Sequence, residues 1–168
     1  MENTHRPRDK WRDIIFSSVV VFVVIADQIT KALIRANLLP GQVFHDFGFF
    51  RIIHVENTGA SFGLFQGHSL IIAIISIIGL LVILFLVFFF RNRWVFLRSN
   101  WVIVAMSLVA GGAIGNNVID RLRQGTVTDY LDFKFWPAFN VADMCISVGI
   151  VILAYRLIFY SGLFKEKK

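Results

Sequence analysis

The sequence predicts an α-helical integral membrane protein, with four transmembrane helices and a small extracytoplasmic antiparallel β-sheet between the first and second. Three observations carry that prediction. Of 168 residues, 57% are hydrophobic and only 17% charged, whereas a soluble domain usually has about 25% charged and about 45–50% apolar residues. Four stretches are long enough to cross ~30 Å of hydrocarbon, which takes about 20 mostly apolar residues. The segment between the first two carries short apolar and aromatic runs broken by turn residues, a pattern of strands rather than of a tether. So much apolar surface cannot be hidden in one small globule, which excludes a soluble enzyme. Eighteen Phe against three Pro likewise exclude disorder. The net charge of +6 falls in short patches between apolar runs, not on one polar face, so no nucleic-acid partner is expected.

The elements follow in order along a chain treated as one membrane domain, 1–168. The first helix is expected near 13–35. Ile14 to Ala26 is uninterrupted, and continuing the span to about Leu33 brings in Asp27 and Lys31. Arg6, Arg8, Lys10 and Arg12 ahead of an apolar run also resemble the start of a signal peptide. The helical pattern runs on through Asp27, Lys31 and Arg35 without a break, which favours a retained span. The β-rich loop is placed at 41–66. Val43 to Val55 is broken by Gly48, and Asn57-Thr58-Gly59 signals a turn before Ala60 to Phe65, giving two to four short strands. Its Phe side chains at 47, 49, 50, 62 and 65 suit the headgroup region. The second helix, 69–90, has no charge, and the third, near 99–120, has none before Asp120. The fourth is expected over 137–159, with Pro137 at its start.

Lys and Arg set the orientation. Eleven lie on the side shared by the termini and the 91–98 loop, against four on the other side. The termini are therefore expected in the cytoplasm and the 36–68 and 120–136 segments outside. Cys145 is the only cysteine and is read as a small buried thiol. His5, His45, His54 and His68 are not spaced as metal ligands, so no metal is expected.

Ionisable groups inside a span are costly and mark function by default. Asp27 and Lys31 are four apart on one helical face and can pair, which suits a structural role. Asp143, counted from Pro137, sits about 9 Å along the fourth helix, just below the outer surface. Asn140 lies on the same face, and no cation follows in that helix before Arg156. Its partner must come from elsewhere, with Asp120, Arg121, Arg123, Asp129 and Asp132 as candidates. Meeting an arginine would make a salt bridge or ion site. Meeting another carboxylate would force the two to share a proton, the condition for an aspartic dyad that activates water. No motif for serine, zinc or phosphate chemistry competes. The alternative from another class is a small transporter using Asp27, Lys31 and Asp143 as a relay.

Five blocks, in order, resemble the lipoprotein signal peptidase (signal peptidase II) family. Asp27-Gln28-Ile29-Thr30-Lys31 is similar to DQxxK, and Asn57-Thr58-Gly59-Ala60-Ser61-Phe62 to NxGxxF. Gly111 through Arg121 is similar to GGAxGNxxDR, Gly125 through Tyr130 to GxVxDF, and Pro137 through Asp143 to PxFNxAD. The resemblance implies a bacterial inner-membrane aspartic endopeptidase with a β-cradle outside, needing no cofactor. Such an enzyme removes the signal peptide of a diacylglyceryl-modified prolipoprotein just before the lipidated cysteine. Its partners would be that substrate and membrane lipid, with the enzyme a monomer. It implies Asp129 and Asp143 as the catalytic pair, supported by Asp27, Lys31, Asn57, Gly59, Asp120, Arg121 and Asn140. The third block holds one residue too many, so the family asparagine is Asn116 or Asn117, and the preference is Asn117. Thr128 stands where the common form has valine and Tyr130 where it has phenylalanine. Asp132 remains an alternative member of the dyad. Each supporting residue also has a plainer role, Asn140 as a helix cap, Gly59 as a turn glycine, Arg121 as an interface residue.

Overall fold

A computed structural model describes residues 10–59, 65–90 and 93–160. The predicted positions Arg6, Arg8, Ala60, Ser61, Phe62, Arg91 and Lys165 to Lys168 lie outside the described residues. Among the described residues, four helices are long and apolar enough to cross a membrane. Helix α1 runs Lys10–Asn37 and α2 runs Ser69–Phe90, its last turn a π-helix over Leu86–Phe90. Helix α3 covers Asn100–Gln124 and includes a π-helical stretch, Ile114–Asp120. Helix α4 runs Val141–Tyr160. The expected limits 13–35, 69–90 and 99–120 agree to within a turn or so.

Helix α3 is the hub. Val102, Ile103, Ala105, Met106, Ser107 and Ala110 are all buried, and it packs against both α1 and α4. Lipid offers no hydrophobic drive for helices to associate, so close contact depends on small residues. A Cβ on Gly112 would lie 2.6 Å from the Ala142 carbonyl, and one on Gly115 would lie 2.5 Å from Asp27 Oδ2. These two glycines bring α4 and the Asp27 carboxylate against α3. Helix α2 buries only Ala73 and Val87, leaving the rest of its surface for lipid or partly covered. Gly125, at φ +75°, ends α3 in the left-handed conformation and gives its N–H to the Arg121 carbonyl.

The sheet differs from expectation in its source. Strands β1 (Val43–Asp46) and β2 (Arg51–Asn57) form the predicted hairpin between the first two helices. The third strand, β3 (Val127–Asp132), comes instead from the segment between α3 and α4, and pairs antiparallel with β2 in the order β1-β2-β3. Gly48, at φ +92°, turns the hairpin, with its N–H bound to Asp46 Oδ1. The β2–β3 register shifts between Ile52 and Val55, a bulge that leaves Val55 opposite Asp129.

Helix α4 starts four residues later than Pro137 predicts. Leu131 and Phe139 form an antiparallel bridge, so the chain after Pro137 is held extended against β3 and cannot turn helical. The helix begins with a reciprocal cap. Asn140 Oδ1 accepts from the Asp143 N–H at 3.0 Å, and Asp143 Oδ2 accepts from the Asn140 N–H at 3.2 Å. Asp143 therefore sits in the first turn rather than about 9 Å along. A carboxylate is favoured there by the unpaired N–H groups and the helix dipole.

Candidate active site

Asp129 is 2% exposed and central in β3. Its Oδ1 accepts from Asn140 Nδ2 at 2.7 Å and its Oδ2 from Asn57 Nδ2 at 2.9 Å. Asp143 accepts from Asn116 Nδ2 at 2.8 Å through Oδ1. Asn140 thus touches both carboxyls, one through its side chain and the other through its backbone. Both aspartates line one cavity of about 940 Å³ together with Asn57, Asn116 and Arg121, walled on its apolar side by residues of α2 and α4 such as Ile72 and Ile146. Burial, and then the nearby Asp143 charge, push the Asp129 carboxyl up to about 7 against the two asparagine hydrogen bonds.

Behind the cavity lies a fully buried ionic cluster. Lys31 Nζ meets Asp27 Oδ2 at 2.8 Å, Asp120 Oδ2 at 2.6 Å and Asn116 Oδ1 at 2.5 Å, which uses all three of its donors. Because the ammonium occupies Oδ1 of Asn116, the amide must turn its Nδ2 toward Asp143. Asp27 Oδ1 also accepts the Ala142 N–H at 3.1 Å. Asp27 and Lys31, whose spacing suits a structural pair, stand directly behind the two cavity aspartates. The charges close on one another there and do not string out along a path through the bilayer, as a transport relay would require.

Arg121 ties three segments together. Its Nε bonds Asn117 Oδ1 at 2.9 Å, Nη1 bonds Ser69 Oγ at 3.0 Å, and Nη2 bonds the Gly59 carbonyl. The Gly59 N–H binds Asn57 Oδ1 at 2.9 Å, closing the turn whose asparagine holds Asp129. Arg121 is therefore a buried latch and not an interface residue.

One expectation is corrected. The asparagine at the carboxylate is Asn116, not the preferred Asn117. A π-helical turn holds one more residue than an α-turn, so the stretch Ile114–Asp120 absorbs the extra residue and keeps both Gly111-Gly112 and Asp120-Arg121 in place. Replacing Asn116 with Ala is expected to lower turnover about 10–100-fold, the worth of a hydrogen bond to a charged group. Asn117→Ala should cost less than about fivefold, because it frees only one arm of Arg121. Similar losses for both in a cleavage assay would remove the distinction.

Asp132, kept as an alternative to Asp129, does not line the cavity with Asp143. It faces Arg51 and accepts the Lys134 N–H at 2.8 Å. Burial alone would raise its carboxyl, but the Lys134 N–H and the Arg51 guanidinium outweigh it and hold the group below its ordinary value.

Some contributors lay outside the predicted set. Gln28 Nε2 bonds Asp120 Oδ1 at 2.9 Å and Asp27 Oδ2 at 3.1 Å, and its place inside the DQxxK-like block was the available signal. Ser69, Thr30 and Arg35 carried no local signal. Among the described residues, no group of three or more His, Cys, Asp or Glu is placed to hold a metal ion.

The sequence model of the signal peptidase (SPase) II family matches residues 19–159. The chain is 39% identical over 153 residues to a lipoprotein signal peptidase of Dehalococcoides mccartyi, covering 90% of this chain and 94% of the relative. It is 40% identical over 147 residues to one from Caldanaerobacter subterraneus subsp. tengcongensis, covering 86% and 97%. Among solved structures, a bacterial membrane enzyme determined by the in meso method at 2.3 Å superposes with a TM-score of 0.76 at 30% identity, covering 91% of this chain and 93% of that one. A second, at 1.9 Å, gives 0.70 at 32% identity, covering 85% and 92%. Four membrane-length helices, the small sheet and these matches together show that the chain belongs to the signal peptidase II family.

Proposed function

We propose that this peptidase is an aspartic endopeptidase in which Asp129 and Asp143 cleave diacylglyceryl-modified prolipoproteins just before the lipidated cysteine. The observation that carries this reading is the meeting of two acids, from β3 and from α4, at one cavity with Asn140 bound to both. One carboxylate takes a proton from water, which attacks the scissile carbonyl. The other, protonated, donates to the carbonyl oxygen. Collapse of the tetrahedral intermediate returns that proton and passes one to the leaving amine, so the pair ends with the single proton it began with. Because the two titrate as a unit, the pH profile belongs to the pair. The raised Asp129 carboxyl supports a pair that keeps one proton up to about 7.

The apolar wall between α2 and α4 suits a signal helix and acyl chains arriving from the bilayer, with membrane lipid as the solvent of the site. The excess of Lys and Arg on the terminal side supports cytoplasmic termini and a site near the outer leaflet. A monomer suffices, since one chain supplies both acids. The test is cleavage of a purified diacylglyceryl-modified prolipoprotein in detergent, beside an unlipidated control. Cutting confined to the lipidated form is expected, whereas a folded enzyme that cuts neither would sink the proposal.

A pH dependence follows from Asp129. Its carboxyl ordinarily titrates at 3.8 and in the folded protein at about 7, so the folded state holds that proton more tightly. The stabilisation is complete below about 4 and is lost as pH rises to about 7. Turnover that needs one proton on the pair should fall above about 7 as well. The melting temperature of the wild type is expected to decline between those values more steeply than that of Asp129→Asn, and parallel curves would contradict the assignment.

A further inference from the structure

Strand β3 turns Asp129 toward the cavity and its two neighbours toward α1, because successive strand residues face opposite sides. Thr128 and Tyr130 are both buried, and both are hydrogen-bonded to α1. Arg35 Nη1 donates to Thr128 Oγ1 at 3.0 Å, and Tyr130 Oη donates to Thr30 Oγ1 at 2.8 Å. The Thr30 hydroxyl proton is directed to the Ala26 and Asp27 carbonyls, each at 2.9 Å, which leaves its oxygen to accept from the phenol. A directional chain results, from the Tyr130 hydroxyl through the Thr30 hydroxyl to the backbone of α1.

The start of α4 is tied to α1 as well. The first N–H groups of a helix have no partner within it. Here Ala142 meets Asp27, a residue of α1, and Asp143 meets Asn140. The strand carrying Asp129 is thus held to α1 through the Tyr130 hydroxyl, beside the Arg35 contact, and the helix carrying Asp143 is held to the same helix through Asp27.

We propose that Tyr130, acting with Thr30, is a positioning residue for the hydrolysis, setting the Asp129 strand against α1, the helix that also holds the start of the Asp143 helix, in the geometry that the pair needs. The proposal rests on the reading of those two aspartates as the reacting pair. Neither Thr30 nor Tyr130 lines the cavity, so neither touches substrate. Phenylalanine, the residue of the resembled pattern at position 130, has no hydroxyl to make these contacts, so the brace is a property of this chain.

The experiment compares Tyr130→Phe, Thr30→Val and the double variant of the full-length protein, with purified diacylglyceryl-modified prolipoprotein as substrate. Misplacing reacting groups by a fraction of an ångström lowers turnover without weakening binding, so each single change is expected to reduce kcat about tenfold with KM within about twofold. The double variant should be no slower than either single one, because all three lose the same bond. An unchanged kcat in Tyr130→Phe would overturn the proposal, even with a lowered melting temperature, and so would losses that multiply in the double variant. Asp129→Asn is run in parallel. If it stays active, the underlying assignment of the pair falls. If it is inactive while Tyr130→Phe is not impaired, the brace alone falls.

Discussion

Asp129→Asn and Asp143→Asn are each expected to reduce prolipoprotein cleavage by about 10³-fold or more, the scale at which a general acid or base contributes. The substitution keeps the shape of the side chain while removing the shared proton on which the chemistry depends. Each variant loses one hydrogen bond, because both oxygens of either carboxyl accept an N–H and asparagine offers one acceptor, but the rest of the supporting shell should remain. Asn140 can still cap α4, and Asn57 still closes its turn on Gly59. Asp132→Asn is the control, since Asp132 does not line the cavity, asparagine can still accept the Lys134 N–H, and the pair lost with the partly exposed Arg51 is worth about 0–1 kcal/mol. Cleavage by gel shift, with detergent melting curves to verify folding, separates the cases. Activity surviving in either of the first two variants, or disappearing in the third, would move the reacting pair elsewhere.

Lys31→Met is expected to have the largest effect on stability. The ammonium is fully buried between Asp27 and Asp120, and methionine of similar length leaves two carboxylates facing each other without a cation. Removing one partner of a buried ionic group typically costs about 3–5 kcal/mol, on the order of a 10 °C fall in melting temperature for a chain of this size. A second effect falls on activity. Without the ammonium on Oδ1, the Asn116 amide is free to rotate, and Asp143 loses its fixed donor. Turnover should therefore drop beyond what the unfolded fraction explains, measured below the melting transition. A variant that melts with the wild type would show that the cluster is not the keystone described here.

Much of the molecule was legible in local sequence. The span of α2 follows from 22 uncharged residues, because crossing hydrocarbon leaves little freedom of composition. Asp143 was conspicuous because a charge inside a span is costly, and Asn140 because it lies three residues before it. The resemblance of the five blocks then paired Asp143 with Asp129, which no spacing rule joins to it.

Other features were not legible for identifiable reasons. Pro137 reads as a helix start, yet α4 begins at Val141 because the intervening residues pair with β3, a contact between segments that local propensity does not record. The third strand was missed because its pairing with β2 crosses two membrane helices in sequence. Counting residues along an α-helix favoured Asn117, and only the π-helical stretch reveals that Asn116 faces the carboxylate. The buried cluster was half visible: Asp27 and Lys31 share a helix face, whereas Asp120 and Asn116 come from another helix.

By itself, the sequence determined the solvent of this protein, the number of its helices and which acids are too costly to be incidental, since hydrophobicity and charge burial act residue by residue. The tertiary structure decided which polar groups meet. A buried donor or acceptor must be satisfied by whatever segment packing brings within 3 Å, and here that choice was made by Gly112 and Gly115, which let α4 and Asp27 approach α3 closely enough for the two halves of the site to join.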